Sequence, residues 1–148
     1  MPDSNFISYL KTLKPEDWSK MVTSKWAVKD VVAHMIGWEK GDVEVIRQTW
    51  ETKKWPWWFE SSDGYDDYNA KFVEFYKNYM PEQLITEWEM WQQKVQEEIN
   101  KIGEENLKTR PDLFSWLFEG IEDTRSTGTD SHYKHHYLQI KKALGNYE

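Results

Sequence analysis

Cysteine is absent from this 148-residue chain, which excludes disulfides, thiolate metal ligands and a nucleophilic thiol; any thiol in its chemistry must arrive with a cosubstrate. Long apolar runs are missing as well. No stretch reaches the roughly 20 apolar residues that span a bilayer, and the start, MPDSNFISYLKTLK, has neither the basic opening nor the apolar segment of a secretory signal. The expectation is a cytoplasmic protein with no membrane partner. Basic charge is scarce: 19 Lys and Arg stand against 26 Asp and Glu, a formal charge of -7. Only the pairs Lys53-Lys54 and Lys141-Lys142 concentrate it, so nucleic acid is not an expected partner. Internal repeats and low-complexity tracts are also lacking.

What is present in excess is aromatic: ten Trp, eight Tyr and six Phe in a chain that is polar on average. Such side chains bury large areas, but they also line pockets and interfaces. The length suits one domain, residues 1–148, with a single core that needs no staples.

Apolar residues recur at helical rather than strand spacing nearly everywhere, so the class is all-α. Asp3 or Ser4 caps a short first helix with Phe6, Ile7, Leu10 and Leu13 on one stripe, ending before Pro15. The longest helix is predicted over residues 27–52, with a continuous apolar side from Val28 to Trp50. A third spans 65–79 and carries Tyr65, Tyr68, Phe72, Phe75, Tyr76 and Tyr79. Pro81 opens a fourth over 81–102, closed by Gly103. PDLFSWLFEGIE, residues 111–122, reads as an extra short helix, and a last helix beginning near Thr127 runs to about Leu144, with Gly145 as its stop. Four substantial helices suit an antiparallel bundle, where ligand sites grow from side chains on facing helices.

Between the second and third helices lies KKWPWWFESSDGY, in which Trp55, Trp57, Trp58 and Phe59 crowd together around Pro56. Lys53, Lys54 and Glu60 bracket this segment as a polar rim would. It is expected to serve as a lid over a pocket or as the contact of a homodimer, with an ordinary satellite core as the plain alternative.

The chemical signal lies in the four histidines. His132 and His136 are spaced i, i+4, so both imidazoles leave one helix face and can reach one ion. His136 precedes Ile140 and Leu144 by one and two turns, which turns the pair inward. His135 points about 100° away. His34 sits between Val31 and Trp38 at the margin of the long helix's apolar stripe, with Gly37 and Gly41 removing bulk beside it. Three imidazoles leave open positions for water or substrate, as catalytic zinc sites do, and such an ion polarises a substrate or acidifies its water. Spacing alone leaves two readings open: a metal site, or core histidines satisfied by Tyr or backbone groups. The glutamate that zinc peptidases place after the first His is replaced by Tyr133.

A resemblance favours the metal. WAVKDVVAHMIGWEK, residues 26–40, resembles the W-T-V-K-D-V-x-A-H-L-x-x-W-E signature of the DinB-like superfamily, and HYKHHYLQI, residues 132–140, resembles its C-terminal H-Y-x-x-H-x-x-x-I. YDDYNAKFVEFYKN, residues 65–78, is similar to the third helix of the ClbS/DfsB branch, so the likeness covers nearly the whole chain from Leu10 onward. It implies an up-down-down-up four-helix bundle whose histidine triad, here His34, His132 and His136, binds a divalent ion, zinc or nickel first. Relatives include thiol-dependent transferases and isomerases, and the ClbS type hydrolyses a reactive electrophile, while the substrate does not transfer with the fold. Three departures stand out. Ala27 replaces a capping Thr or Ser, a loss of around 1 kcal/mol. His135 leaves open a site using it instead of His136. The first helix is short, so a partner subunit is a candidate to complete that wall.

Remaining pocket candidates are Trp38, Tyr133 and Asn69, the last on the inward stripe, where a ligand-binding amide and a satisfied core amide are equally good readings. Glu39 and Asp42 are read mainly as solvated surface groups, with a general base as the minority role. Two functions follow: a metal-dependent hydrolase or thiol-dependent transferase acting on a small electrophilic molecule, or a non-catalytic protein that sequesters an apolar small molecule among its tryptophans.

Overall fold

Helix is the only extended secondary structure among the described residues; its sole β feature is an isolated bridge between Met21 and Ala27. The computed structural model describes residues 4–56, 62–115, 117 and 129–145, with the side chains of residues 4, 5, 62–66 and 129–134 outside that description. The elements are α1 (Ser4–Lys11), a 3-10 turn (Pro15–Ser19), α2 (Val28–Thr52), α3 (Ser62–Tyr76), α4 (Pro81–Ile102), two single turns α5 (Glu104–Leu107) and α6 (Pro111–Phe114), and α7 (Thr129–Ala143).

Local chemistry fixes the helix ends. Ala27 has no oxygen with which to cap α2, yet Asp30 reaches back and its carboxylate accepts the Ala27 N–H at 2.9 Å, so part of the missing cap is supplied from the first turn. Just upstream, Thr23 Oγ1 accepts the N–H groups of Lys25 and Trp26 at 3.1 and 2.9 Å, which sets the bend that feeds Trp26 against α2. Pro81 opens α4 without losing a hydrogen bond, and Gln83 accepts the Met80 N–H at 2.8 Å. At the other end Gly103 takes φ 89°, a conformation L side chains rarely adopt. In the last turn of α2 the Thr49 carbonyl accepts from the Lys53 N–H and from the Arg110 guanidinium, both at 3.0 Å.

Among the described residues, two apolar clusters are strung along α2. One gathers Phe6, Trp18, Val31, Ile36, Tyr76, Trp88 and Ile140, drawing on α1, the 3-10 turn, α2, α3, α4 and α7. The other gathers Val43, Ile46, Tyr68, Val95, Ile99, Leu107 and Leu113. Each fully buried side chain of this size contributes about 1.5–3 kcal/mol. The clusters also fix directions. Trp88 lies with the first half of α2 and Ile99 with the second, so α4 runs parallel to it. Arg47 with Glu98, at 3.0 and 3.2 Å, repeats that parallel register.

The α2 and α3 backbones meet at Gly37. A Cβ built there would lie 2.6 Å from Phe72 ring carbons, and the Tyr68 hydroxyl donates to the Gly37 carbonyl at 3.1 Å. One turn further, the Lys40 ammonium is ringed by Phe72, Phe75, Tyr76 and Trp91, with ring centres 4.8–5.3 Å away. Behind this cage Glu87 accepts from the Tyr76 hydroxyl and the Trp91 indole N–H, both at 3.2 Å. Burial pushes the Lys40 ammonium below its ordinary value while Glu87 opposes that shift.

Several boundaries differ from the sequence expectation. The third helix spans Ser62–Tyr76 rather than 65–79: the α-helical ladder ends at Tyr76, and the Tyr79 N–H donates to the Tyr76 carbonyl at 3.0 Å in a turn that leaves Tyr79 half-buried. The first helix stops at Lys11, and EENL forms the unexpected turn α5. The start expected for the last helix, near Thr127, and the second half of the 111–122 helix lie outside the described residues. No described helix is long and apolar enough to cross a membrane.

Candidate metal centre

Two of the three expected ligands meet. His34, in the first half of α2, is 5% exposed, and His136, on α7, is 7% exposed. Their ring centres are 5.0 Å apart with the planes at 82°. Position 132 lies on α7 one turn before His136, but its side chain, like that of Tyr133, is outside the described residues. His135 is exposed, with its ring centre 5.0 Å from that of His136.

Among the described residues, Trp26, at 4.8 Å from just before the helix, and Trp38, at 6.2 Å and edge-on from one turn along it, flank His34. Asn69 of α3 faces the same imidazole with a buried carboxamide oxygen. Gln139, one turn after His136, places its carboxamide oxygen 2.9 Å from His136 Nδ1. Trp26 and Gln139 were not candidates from sequence; an i, i+3 amide on the histidine's own helix was a usable signal for Gln139, whereas Trp26 reaches the site from outside any helix.

Burial governs the protonation of both histidines. It drives His34 well below its ordinary value, helped by His136 and opposed by Asn69. It takes His136 down to about 4, opposed by the hydrogen bond to Gln139. Both rings are therefore neutral at pH 7, the form that ligates metal.

Two imidazoles bound to one tetrahedral centre through bonds of about 2.0–2.1 Å put their ring centres about 5 Å apart; His34 and His136 have that separation, as do the adjacent His135 and His136. Among the described residues, no group of three or more His, Cys, Asp or Glu side chains is placed to hold a metal ion; a third ligand from position 132 lies beyond that description.

The other candidates separate. Trp38 touches both His34 and Tyr68, the latter at 6.0 Å, so it bridges the site to the second core cluster. Trp57 and Trp58 lie outside the described residues. Neighbouring Trp55 is half-buried against that same cluster, with its carbonyl accepting from Gln48 at 3.2 Å. Glu39 and Asp42 are not solvated surface groups: they are 2% and 5% exposed. Burial, reinforced by the Asp42 carboxylate, raises the Glu39 carboxyl well above the usual carboxylate range, while the Trp88 indole opposes the shift. No protein-family model, curated protein or solved structure matches the chain.

Proposed function

We propose that the chain is a DinB-like four-helix-bundle protein, nearest the ClbS/DfsB branch, that holds one divalent ion, zinc or nickel, on His34, His132 and His136 and acts on a small electrophilic molecule as a hydrolase or thiol-dependent transferase. The observation that carries this reading is the pair of buried, neutral imidazoles from two helices with ring centres 5.0 Å apart.

The residues around the histidines have separable roles in this reading. Trp26 and Trp38 exclude water on two sides of His34, Asn69 presents an amide to the ring from α3, and Gln139 holds His136 through the nitrogen that does not ligate. A bound ion supplies Lewis acidity to a substrate heteroatom. The WPWWF segment serves as a lid or as a homodimer contact; a Trp57→Ala, Trp58→Ala double variant that keeps its metal and mass but loses ligand selects the lid, and one that shifts to monomer selects the dimer.

A second reading, a sequestering protein without chemistry, draws on the same Trp26 and Trp38 rings. Elemental analysis of protein purified without an affinity tag separates the two: about one zinc or nickel per chain is expected, and metal-free protein that cannot be reloaded rejects the metal centre.

A further inference from the structure

Gln139 makes a contact that a surface glutamine on the last helix has no general reason to make. It is half-buried on α7, one turn beyond His136, and its carboxamide oxygen lies 2.9 Å from His136 Nδ1. A carboxamide oxygen only accepts, so Nδ1 must carry the proton. A neutral imidazole has one N–H, which leaves the lone pair on Nε2 across the ring.

We propose that Gln139 is a positioning residue that locks His136 in its Nδ1-protonated tautomer and presents Nε2 as the ligating atom. The tautomer stands on the hydrogen bond alone, while its consequence for metal affinity rests on the metal-centre reading above. Outer partners of this kind orient ligating histidines, and their loss typically weakens metal binding by 10–100-fold. An amide in this place directs the ring without favouring its protonation as strongly as a carboxylate would, so the imidazole stays available to a cation in a buried site.

The test uses the full chain, stripped of metal with a chelator and labelled with 15N-histidine, with long-range 1H–15N spectra that tell the two tautomers apart. The His136 signals are identified by their loss in His136→Ala. Wild type is expected to show Nδ1–H. Gln139→Leu, which keeps bulk and removes the acceptor, is expected to move His136 to Nε2–H or a mixture and to weaken cobalt binding by about 10-fold or more. Gln139→Glu restores an acceptor and is expected to return the Nδ1–H tautomer, so a folding defect in the leucine variant does not decide the matter. An Nε2–H signal in wild type, or an unchanged tautomer in Gln139→Leu, overturns the proposal. If wild type binds no cobalt while the tautomer still responds to Gln139, the positioning role stands and the metal centre falls.

Discussion

Phe72 occupies the space where residue 37 would carry a side chain: a Cβ on Gly37 would stand 2.6 Å from its Cγ and Cδ2 and 2.8 Å from its Cβ. Because the atoms met include the Phe72 Cβ, rotating the ring does not relieve the clash, and α3 itself must move away from α2. Gly37→Ala is therefore expected to lower stability by about 1–3 kcal/mol, the usual cost of overpacking, although alanine is the better helix former by about 1 kcal/mol. Urea unfolding measures it. A variant as stable as wild type would mean that α3 is not seated against Gly37.

Lys40 holds the same interface from the charged side. Four rings from α3 and α4 surround its ammonium, and partly desolvated cation–π contacts contribute about 0.5–2 kcal/mol. Lys40→Gln, similar in length and neutral, is expected to lose about 1 kcal/mol within that range and to shift tryptophan fluorescence through Trp91. Equal stability together with unchanged fluorescence would show the cage to be incidental.

The long helices were legible because their signals are redundant. α2 and α4 each carry a sustained apolar stripe, α4 adds hard punctuation at Pro81 and Gly103, and α4 begins and ends at the expected residues. Weaker signals failed for identifiable reasons. The tyrosine stripe of the third helix overran its end, since aromatic burial does not require helical backbone at Tyr79. EENL offers too few residues to show a period. Glu39 was read as solvated because charge is the best local predictor of exposure, and nothing local in the sequence announces a carboxyl buried beside Trp88. His34 and His136 were legible from spacing and resemblance, while Trp26 reaches the site through a bend that helical periodicity does not describe.

Apo-protein stability should fall in acid through His136. An unfolded histidine takes up a proton near pH 6.5, whereas folded His136 does so only at about pH 4. Between those values the unfolded chain binds more protons. The contribution is thus fully present above 6.5 and is lost as pH falls towards 4, in total of order 3 kcal/mol. His34 acts with the same sign. Urea midpoints in the presence of chelator at pH 7.5 and 5 measure the slope, and His136→Gln should flatten it. An unchanged slope would show that His136 is solvated.

Glu39 works in the opposite direction. Its folded carboxyl keeps its proton to higher pH than an unfolded glutamate, so its stabilising contribution is present in acid and is lost as pH rises from about 4.3 towards the raised value. Glu39→Gln, which cannot ionise, is expected to be more stable than wild type at pH 8 and to lose that advantage by pH 4. A glutamine variant less stable than wild type at both pH values would mean that Glu39 is held as a carboxylate by partners that exceed the effect of burial.

The three histidines of the last helix give the sharpest test of the metal centre, because they differ in placement while sharing a chemistry. His136 is buried against His34, and His135 is exposed. His136→Ala and His34→Ala each remove a ligand and should weaken cobalt binding by more than about 100-fold, beyond what the loss of an outer partner costs. His135→Ala should leave it unchanged, and His132→Ala should match the first two if position 132 completes the triad. Acid release follows from the same placement. Free imidazole would surrender a metal below about pH 6.5, but burial keeps protons off His136 down to about pH 4, so the ion should be retained at pH 5.5 and released as the histidines protonate and the fold opens. Titration of apo-protein with cobalt, followed by its visible absorption, measures each variant. Equal affinity in His135→Ala and His136→Ala would remove the ion from the interior, and release complete by pH 6 would show that its ligands are solvated.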